Sequence, residues 1–507
     1  MQHRFIKKIL AANVYDVAVE TPVEKAKVLS KRSGNNVLIK REDLQPVYSF
    51  KIRGAYNCIS QLSDAEQACG IVAASAGNHA QGVAMSAQHL GIDATIVMPK
   101  NTPEIKVNSV IAMGGHVILH GESFAEAYAH SLELVERKGL VYIHPFDDED
   151  VIAGQGTVGV ELLRQIRGDI DAVFVPVGGG GLISGIAVYI KYLRPDIKII
   201  GVEPEDSCCL KAALEAGERV VLSEVGTFAE GVAVAQIGEL TFKLAQQYVD
   251  EVITVTTDEL CASIKDIYDD TRCITEPAGA CALAGLKKYM EREQAKGQTL
   301  VAIASGANVN FDRLRHVAER AEIGEGREAI LAAQIPEQPG SFKRFCTALG
   351  ERNITEFNYR YGNDQLAQVF VGVQLKADDG GRAKLLTELA QRDIPAVDLS
   401  DNEMAKMHIR YMVGGHAAVD NEVVYRFSFP ERPGALLKFL NKLGQPWNIS
   451  MFHYRNHGSA YGRVLVGMQV PPADKAKLEG YLVELGYAFC EETLNPAYQL
   501  FLAPEER

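Results

Sequence analysis

Short apolar runs and longer helical patterns alternate along the first part of the chain, between residues 21 and 311. The short runs are rich in β-branched residues, and helical patterns such as 80–90 and 124–137 separate them. The runs typical of strands are 37–40, 71–74, 94–98, 172–175, 197–202 and 300–304. This alternation predicts an α/β fold with mostly parallel sheets covered by helices. Glycine-rich turns follow several runs, which is where open α/β sheets bind their ligands.

A charged segment at 322–328 predicts the end of this first domain. Two similar stretches follow, and each is typical of a strand, a Pro-Gly turn, an amphipathic helix and a second strand. The matching segments are 336–340 with 430–434, 349–350 with 443–444, and 353–354 with 448–449. This spacing is longer than that of solenoid repeats, so it indicates a duplicated domain of ferredoxin-like βαββαβ topology. We expect domains at 1–320, 329–401 and 424–495.

The charge balance and the cysteines argue against several classes of function. The 507 residues carry a formal net charge of −13, which argues against nucleic acid and membrane surfaces as partners because both bind positive patches. Nine scattered cysteines show no metal-ligand spacing, so we expect free thiols and no metal site. No stretch is long and apolar enough to span a bilayer, and the first ten residues lack a signal-peptide run. We expect a cytoplasmic protein, with a removed organellar transit peptide as the alternative.

Two motifs in the first domain carry reactive or ligand-binding groups. Lys51 lies in the sequence Ser-Phe-Lys-Ile-Arg-Gly-Ala, where it is either a solvated lysine or a nucleophilic amine. Residues 75–82, Ser-Ala-Gly-Asn-His-Ala-Gln-Gly, follow a strand and open a helix. The backbone N–H groups of such a helix start bind carboxylates, and Ser75 and Asn78 add side-chain donors. The alternative is that Ser75 caps the helix and His79 lies on the surface.

Two further motifs also follow strands. Gly178 to Gly181 are four consecutive glycines between a strand and a helix. Without side chains an anion can reach the backbone N–H groups, and the helix dipole favours negative charge. The sequence matches neither the dinucleotide fingerprint nor the P-loop, so it predicts another kind of phosphate site, with a flexible turn as the alternative. Ser305 begins the motif Ser-Gly-Ala-Asn-Val-Asn and is either a helix N-cap or a hydroxyl facing a heterocycle.

Together the four motifs supply the groups that pyridoxal phosphate needs to act on an amino acid. At these motifs the chain resembles long-form biosynthetic threonine deaminases, which carry two ACT-like regulatory domains. The resemblance also rests on Phe-Ala-Glu-Gly-Val-Ala at 228–233, on Glu-Pro-Ala-Gly-Ala at 276–280 and on the C-terminal repeat. It implies pyridoxal 5'-phosphate as cofactor, a catalytic domain of fold type II similar to the tryptophan synthase β subunit, and two tandem ACT-like regulatory domains.

The resemblance implies roles for individual residues. Lys51 would form the Schiff base with the cofactor, Asn78 would hydrogen-bond the 3'-oxygen, and Ser305 would face the pyridine nitrogen. The cofactor phosphate would be held by Gly178, Gly179, Gly180, Gly181 and Leu182. The substrate would be bound by Ser75, Ala76, Gly77, Asn78 and His79.

By the same resemblance, the reaction converts L-threonine, with L-serine as an alternative substrate, to a 2-oxoacid and ammonia. For threonine the product is 2-oxobutanoate, the committed precursor of isoleucine, which implies inhibition by isoleucine, antagonism by valine and a homotetramer. Three rival interpretations are a β-replacing synthase with the same cofactor, a serine dehydratase or racemase, and a non-catalytic amino-acid sensor.

The repeated Pro-Gly turns predict where an amino-acid effector binds. Each turn precedes a helix whose N–H groups could bind a carboxylate, and the following Asn-Ile segment could line the side-chain pocket. The candidates are Gly340, Ser341, Phe342, Asn353 and Ile354 in the first copy, and Gly434, Asn448 and Ile449 in the second. Two copies side by side would form a shared groove, whereas the alternative is that Pro-Gly only makes a tight turn.

Overall fold

The computed structural model describes residues 2–336, 341–350, 352, 354–359, 366–375, 380–411, 419–430, 447–455 and 461–503. The chain divides into two compact units, Met1–Val317 and Ala318–Arg507. The first unit contains the alternating strands and helices, and the second contains the repeat. Within the described ranges, no helix is long and apolar enough to cross a membrane.

Two sheets form the centre of the first unit. Their strands are β1 (Val23–Lys25), β2 (Asn36–Arg41), β3 (Ile71–Ala74), β4 (Ala94–Met98), β5 (His116–Leu119), β6 (Val141–Tyr142), β7 (Ala172–Pro176), β8 (Lys198–Pro204), β9 (Glu251–Val255) and β10 (Thr299–Ala304). The larger sheet has the order β1-β2-β10-β7-β8-β9, and its β1–β2 pair is antiparallel while the others are parallel. The smaller sheet has the order β5-β4-β3-β6 and is parallel. The predicted α/β fold is confirmed.

Helices connect these strands and cover the sheets, and one further helix follows the last strand. They are α1 (Gln2–Leu10), α2 (Lys27–Ser33), α3 (Lys51–Ser60), α4 (Asp64–Cys69), α5 (Asn78–Leu90), α6 (Glu104–Ala112), α7 (Phe124–Lys138), α8 (Glu149–Gln165), α9 (Gly181–Leu193), α10 (Cys209–Ala216), α11 (Glu239–Tyr248), α12 (Thr257–Thr271), α13 (Pro277–Arg292) and α14 (Leu314–Gly324). Ser123 and Thr256 begin α7 and α12 with capping boxes, in which each side chain accepts an N–H of the first turn.

Apolar clusters hold each sheet to its helices. Side chains of β7 and β10 pack with α8 and α9 in one large cluster, and those of β3 and β4 pack with α5 in another. The central strands are buried on both faces, as parallel strands between helices must be. Each fully buried aliphatic side chain stabilises the fold by about 1.5–3 kcal/mol. The carboxyl ends of these rigid strands therefore make a firm base for a site.

The second unit repeats one strand order in two four-stranded sheets. The first copy consists of β11 (Glu328–Pro336), α15 (Ser341–Leu349), β12 (Ile354–Tyr359), β13 (Leu366–Gln374), α16 (Gly381–Ala390) and β14 (Ala396–Asp398), followed by α17 (Glu403–Met407). The second consists of β15 (Glu422–Pro430), β16 (Asn448–Arg455), β17 (Tyr461–Gln469), α18 (Lys475–Leu485) and β18 (Ala488–Glu491), followed by α19 (Pro496–Phe501). The sheet orders are β12-β13-β11-β14 and β16-β17-β15-β18, both antiparallel. The βαββαβ prediction is confirmed for the first copy. For the second copy, the predicted first helix would fall in 431–446, which lie outside the described residues.

The two copies also resemble each other beyond the segments whose sequences match. Asn402 caps α17 and Asn495 caps α19, and the Asn402 amide donates to Asn495 Oδ1 at 3.1 Å. Two residues before each asparagine, Ser400 and Thr493 accept an N–H from the first strand of their own copy. The two copies therefore meet at equivalent helix starts.

Side chains of both copies share one interior. Phe370 of the first copy and Val424 and Leu465 of the second belong to a single apolar cluster, which the α19 residues Tyr498 and Phe501 complete. The opposite face of each sheet packs within its own copy, in two separate clusters. The two copies thus form one compact body.

Trp447, the single tryptophan of the sequence, lies directly before β16. Its side chain is buried, and its indole Nε1–H donates to Asp474 Oδ2 at 3.3 Å. Its ring meets the ring of Tyr481 edge-on, with 5.8 Å between the ring centres. The indole is thereby fixed inside the second copy.

The charged segment at 322–328 is only partly a connection. Residues up to Gly324 belong to α14, and Glu328 already begins β11, so residues 325–327 alone lie between the two elements. The charges are not those of a solvated linker, because Glu328 is buried and pairs with Arg410. The limits of the three expected domains stay predictions.

Candidate active site

One cavity of about 860 Å³ in the first unit is lined by all four sequence motifs. The structure therefore brings together every residue that the resemblance linked to cofactor or substrate. They are Lys51, Ser75, Ala76, Gly77, Asn78, His79, Gly178, Gly179, Gly180, Gly181, Leu182 and Ser305. The cavity is large enough for an amino acid beside a cofactor, since small-molecule sites span about 300–1,000 Å³.

Chain topology explains why the motifs meet. Strands β7 and β10 are parallel neighbours in the larger sheet, so the glycine loop and Ser305 follow them at the same edge, while Ser75 follows β3 of the smaller sheet and faces the same cavity. An isolated antiparallel bridge joins Ser49 to Gly306. Beside it, the Phe50 N–H donates to the Ser305 carbonyl at 3.2 Å. The segment before Lys51 is thereby tied to the end of β10.

Lys51 begins α3, and its Nζ lies 3.4 Å from the carbonyl oxygen of Gly231. The side chain is half-buried and lines the cavity, which favours the nucleophilic amine over a solvated lysine. Burial lowers the pKa of the amine, and the charge of Glu276 opposes that shift. A lowered pKa leaves more of the amine unprotonated, which is the form that attacks a carbonyl or takes a proton.

No side chain of the described residues caps the start of α5. Gly77 is the N-cap residue, and Ser75 Oγ accepts the Gly77 N–H at 3.3 Å, so Ser75 shapes the turn without capping the helix. The N–H groups of the first turn can therefore bind an anion. His79 is only 2 % exposed, and its Nε2 bonds the Ile143 carbonyl at 2.9 Å. Burial lowers the pKa of His79 to about 3, which keeps the ring neutral.

The glycine loop turns its carbonyl oxygens into the protein. The donors to these oxygens are Cys209 Sγ (3.4 Å, to Gly178), Thr241 Oγ1 (2.7 Å, to Gly179) and the Ser184 N–H (3.0 Å, to Gly180). Gly180 has φ = +89°, which favours glycine, and a Cβ on Gly179 would lie 2.1 Å from the Phe146 ring. Because the carbonyls are engaged, the loop can offer N–H groups to an anion in the cavity. The flexible-turn alternative does not fit these constraints.

Ser305 follows β10 directly and is 3 % exposed. Its hydroxyl donates to the Ala278 carbonyl at 3.2 Å. The next helical turn begins only at Phe311, so Ser305 does not cap a helix and that interpretation is wrong. A neutral hydroxyl at this point can face a heterocycle.

Glu276 and Asn308 lie in the sequence motifs, but the sequence assigned neither of them a role. Glu276 Oε1 accepts the Asn78 amide N–H at 2.6 Å, and the Asn308 amide donates to Asn78 Oδ1 at 2.7 Å. Burial raises the pKa of Glu276, while Asn78 and Lys51 oppose the shift. Their place within the motifs Glu-Pro-Ala-Gly-Ala and Ser-Gly-Ala-Asn was the signal that could have revealed them.

A buried network of charges lies under α3. Arg53, two residues after Lys51, bonds Glu42 at 2.7 Å and Glu161 at 2.6 Å, and Lys40 bonds Glu161 at 2.6 Å. These four side chains are fully buried. The arginine of the Ser-x-Lys-x-Arg-Gly motif therefore anchors the helix that begins with the lysine.

The predicted effector residues are only partly described. Ser341 is buried at the start of α15, and Ile354 is exposed at the start of β12. The backbone of Phe342 lies in α15, and that of Asn448 and Ile449 lies in β16. Gly340, Asn353 and Gly434 lie outside the described residues.

Comparisons with known proteins cover both units. Residues 14–306 match the family of pyridoxal-phosphate-dependent enzymes, and residues 319–409 and 413–502 match the C-terminal regulatory domain of threonine dehydratase. The biosynthetic L-threonine dehydratase IlvA of Burkholderia multivorans is 55% identical over 505 residues, which are 99% of either chain. The chain belongs to the biosynthetic threonine dehydratases. The predicted family, enzyme class and cofactor are confirmed.

Solved structures resemble a little over three fifths of the chain. The processed form of threonine deaminase isoform 2 from Solanum lycopersicum is 53% identical with a TM-score of 0.62, over 63% of this chain and 93% of that one. Maize serine racemase is 34% identical with a TM-score of 0.58, over 62% of this chain and 96% of that one. The fold type II prediction is confirmed. We refer below to the first unit as the catalytic unit and to the second as the regulatory unit.

Proposed function

We propose that this chain converts L-threonine to 2-oxobutanoate and ammonia, as a threonine ammonia-lyase of isoleucine biosynthesis under amino-acid control. The observation that carries the proposal is the meeting of four separate motifs on one cavity. This reaction needs four groups: a lysine amine, a helix start with free N–H groups, a glycine loop that can bind phosphate, and a neutral hydroxyl.

The cavity fits pyridoxal phosphate. The glycine loop has its carbonyls engaged by the protein, so its N–H groups, with those of the α9 start, would hold the phosphate. Lys51 would hold the cofactor carbon, Asn78 the ring oxygen and Ser305 the ring nitrogen. When bound, the cofactor withdraws electron density from the α-carbon of the amino acid.

The residues of the chain perform the remaining steps. The N–H groups at Ser75 to Gly77 bind the substrate carboxylate and fix the α-carbon in reach of Lys51. The Lys51 amine, whose pKa is lowered by burial, takes the α-proton. The β-hydroxyl takes up one proton and leaves as water, which balances the proton that Lys51 took from the α-carbon. The resulting enamine tautomerises to an imine, which water hydrolyses to the 2-oxoacid and ammonia.

Ser305 directs the outcome of the reaction. An aspartate at this position would keep a proton on the ring nitrogen and stabilise a long-lived carbanion. The uncharged hydroxyl of Ser305 does not, so loss of the β-hydroxyl competes better with racemisation.

A racemase is the rival that the comparisons favour, because maize serine racemase shares the fold at 34% identity. The decisive experiment incubates the full chain, loaded with pyridoxal phosphate, with L-threonine as the sole substrate. We expect stoichiometric 2-oxobutanoate and ammonia, with slower release of pyruvate from L-serine. D-serine as main product from L-serine, or turnover only with an added thiol, would contradict the proposal in favour of a racemase or a β-replacing synthase.

The proposed control resides in the regulatory unit. We expect isoleucine to inhibit and valine to oppose it, with effector coupling of about 1–3 kcal/mol transmitted through a homotetramer in the cytoplasm. The experiment compares the full chain with a chain that ends after residue 324, where α14 ends. Both should deaminate threonine, and only the full chain should respond to isoleucine. Equal inhibition of a folded, coloured truncated chain would place the effector site in the catalytic unit.

A further inference from the structure

The side-chain amide of Asn78 is bonded at both of its ends. Its Nδ2 donates to Glu276 Oε1 at 2.6 Å, and its Oδ1 accepts from Asn308 Nδ2 at 2.7 Å. Asn78 is 7 % exposed and Glu276 is 8 % exposed, and all three side chains line the cavity. The amide is thus held within the cavity wall by residues that are 198 and 230 positions away in the sequence.

A backbone carbonyl decides which way these amides point. An amide can be turned by half a rotation, which exchanges its oxygen and its nitrogen. Asn308 Nδ2 also donates to the Val47 carbonyl oxygen at 2.9 Å, and a carbonyl oxygen only accepts. The Asn308 nitrogen is therefore fixed, so its neighbour on Asn78 must be the oxygen. The Asn78 nitrogen must then face Glu276, whose carboxyl oxygen accepts.

We propose that Glu276 is a positioning residue that, with Asn308, locks the Asn78 amide so that its second N–H points at the cofactor. An amide nitrogen carries two hydrogens, and Glu276 takes one of them. The second remains for an acceptor in the cavity, such as the ring oxygen. In the turned orientation Asn78 would present an oxygen there and repel that acceptor. The inference rests on the proposed role of Asn78 in cofactor binding.

The surroundings of Glu276 are shaped to keep its carboxyl in place. Its own N–H donates to the Gly306 carbonyl at 3.1 Å. A Cβ on Gly306 would lie 2.5 Å from Glu276 Oε1, and one on Gly231 would lie 3.2 Å from it. Glycine at both positions leaves the space that the carboxyl occupies. An oxygen of this group can accept from Asn78 whether the carboxyl is charged or protonated, so the lock does not depend on its titration.

The experiment is a double-mutant cycle on the full chain. It compares Glu276→Leu, Asn78→Ala and the double variant, with Glu276→Gln as the conservative variant. The control is Glu291→Leu, at an exposed site of α13, the helix that Glu276 directly precedes. The readouts are the Kd for pyridoxal phosphate added to the cofactor-free protein and the absorption maximum of the bound cofactor. Thermal unfolding of the cofactor-free proteins tests folding.

We expect Glu276→Leu to weaken cofactor binding about tenfold and to shift the absorption maximum, because the amide loses its lock. Glu276→Gln should stay within about threefold, since its amide oxygen can still accept. In the Asn78→Ala background the same leucine should change the Kd less than about twofold, because the amide it acts through is gone. The Glu291→Leu control should match the wild type.

Other results separate the inference from the proposed function. If Asn78→Ala leaves Kd and absorption unchanged, the cofactor role of Asn78 is wrong. If Asn78→Ala weakens binding but Glu276→Leu has no effect, or an equal effect in both backgrounds, the positioning role of Glu276 is wrong.

Two substitutions of Asn308, to aspartate and to alanine, test the orientation of the Asn78 amide without altering Glu276. They replace the main test if Glu276→Leu does not fold. Asn308→Asp puts an acceptor against Asn78 Oδ1 and should weaken binding more than Asn308→Ala does. Equal losses would overturn the lock.

Discussion

Both units bury charged side chains, but the ion-pair partners of these side chains differ in how far they are exposed to solvent. In the catalytic unit, Arg53 and Glu161 are fully buried beneath the helix that begins with Lys51. In the regulatory unit, Arg320 pairs with Glu403, whose side chain is 38% exposed. Burial raises the pKa of Glu403, but Arg320 and Lys406 lower it further, to about 2. The catalytic unit therefore holds a network whose charged side chains are all shut off from water, whereas in the regulatory unit the acidic partner of Arg320 still meets solvent.

The substitution Lys51→Ala is the sharpest test of the division of roles between the catalytic and regulatory units. We expect turnover of threonine to fall by about 10²–10⁴-fold and the absorbance of protein-bound cofactor to disappear, because the amine both holds the cofactor and moves the α-proton. Isoleucine binding, measured by calorimetry, should persist. Lys243→Ala, which removes an exposed lysine, is the control. A coloured, active Lys51→Ala enzyme would mean that another lysine holds the cofactor.

The next largest effect should follow from Arg53→Met. Removing this guanidinium leaves Glu42 buried without its ion-pair partner and Glu161 with Lys40 alone, and we expect a loss of about 3–5 kcal/mol in the free energy of unfolding. The matched change Arg164→Met removes only an exposed pair with Glu20 and should have little effect. Urea denaturation measures both. Similar stabilities for the two variants would show that the buried network is dispensable.

Acid should weaken the catalytic unit first. His79 has a pKa of about 3 in the folded chain and about 6.5 when unfolded, so the unfolded state binds more protons below pH 6.5. Its contribution to stability is present at pH 7 and falls by about 2 kcal/mol by pH 5. Glu403, with its low folded pKa, loses its contribution only below about pH 4.5. Denaturation curves at several pH values should be flatter for His79→Gln. An unchanged pH slope would show that His79 is already charged or exposed.

The smallest expected effect concerns the paired helix starts of the regulatory unit. Asn402→Ala and Asn495→Ala should each cost about 1 kcal/mol of stability by removing a cap. The double variant should cost less than the sum, because the two amides also bond each other. Threonine turnover without effector should stay unchanged. Strict additivity would mean that the contact between the copies contributes nothing.

Local patterns allowed most of the architecture and the centre of the site to be predicted. The predicted bounds of strands 71–74 and 94–98 are the same as those in the structure, because runs of apolar and β-branched residues are local signals. Lys51 and the glycine loop were found because a reactive amine and an open backbone need particular residues in sequence. Their actual roles stay predictions.

The remaining features depend on distant partners. Glu276 and Asn308 gain their meaning only from Asn78, which lies about two hundred positions away, and no local pattern encodes that meeting. Ser75 was open to interpretation as a helix cap, and only the backbone geometry at Gly77 decides against it. Sequence patterns report neighbours along the chain, whereas the cavity wall is made by tertiary packing.

Trp447 gives the chain an optical probe confined to one place. Because it is the sole indole, fluorescence excited at the red edge of its absorption arises only in the second regulatory copy. Its buried ring and its bond to Asp474 should give a blue-shifted emission that moves when that copy repacks. An amino acid that changes this emission acts there, and one that alters turnover without changing it acts elsewhere. The chain can thus report the location of its own control without any attached label.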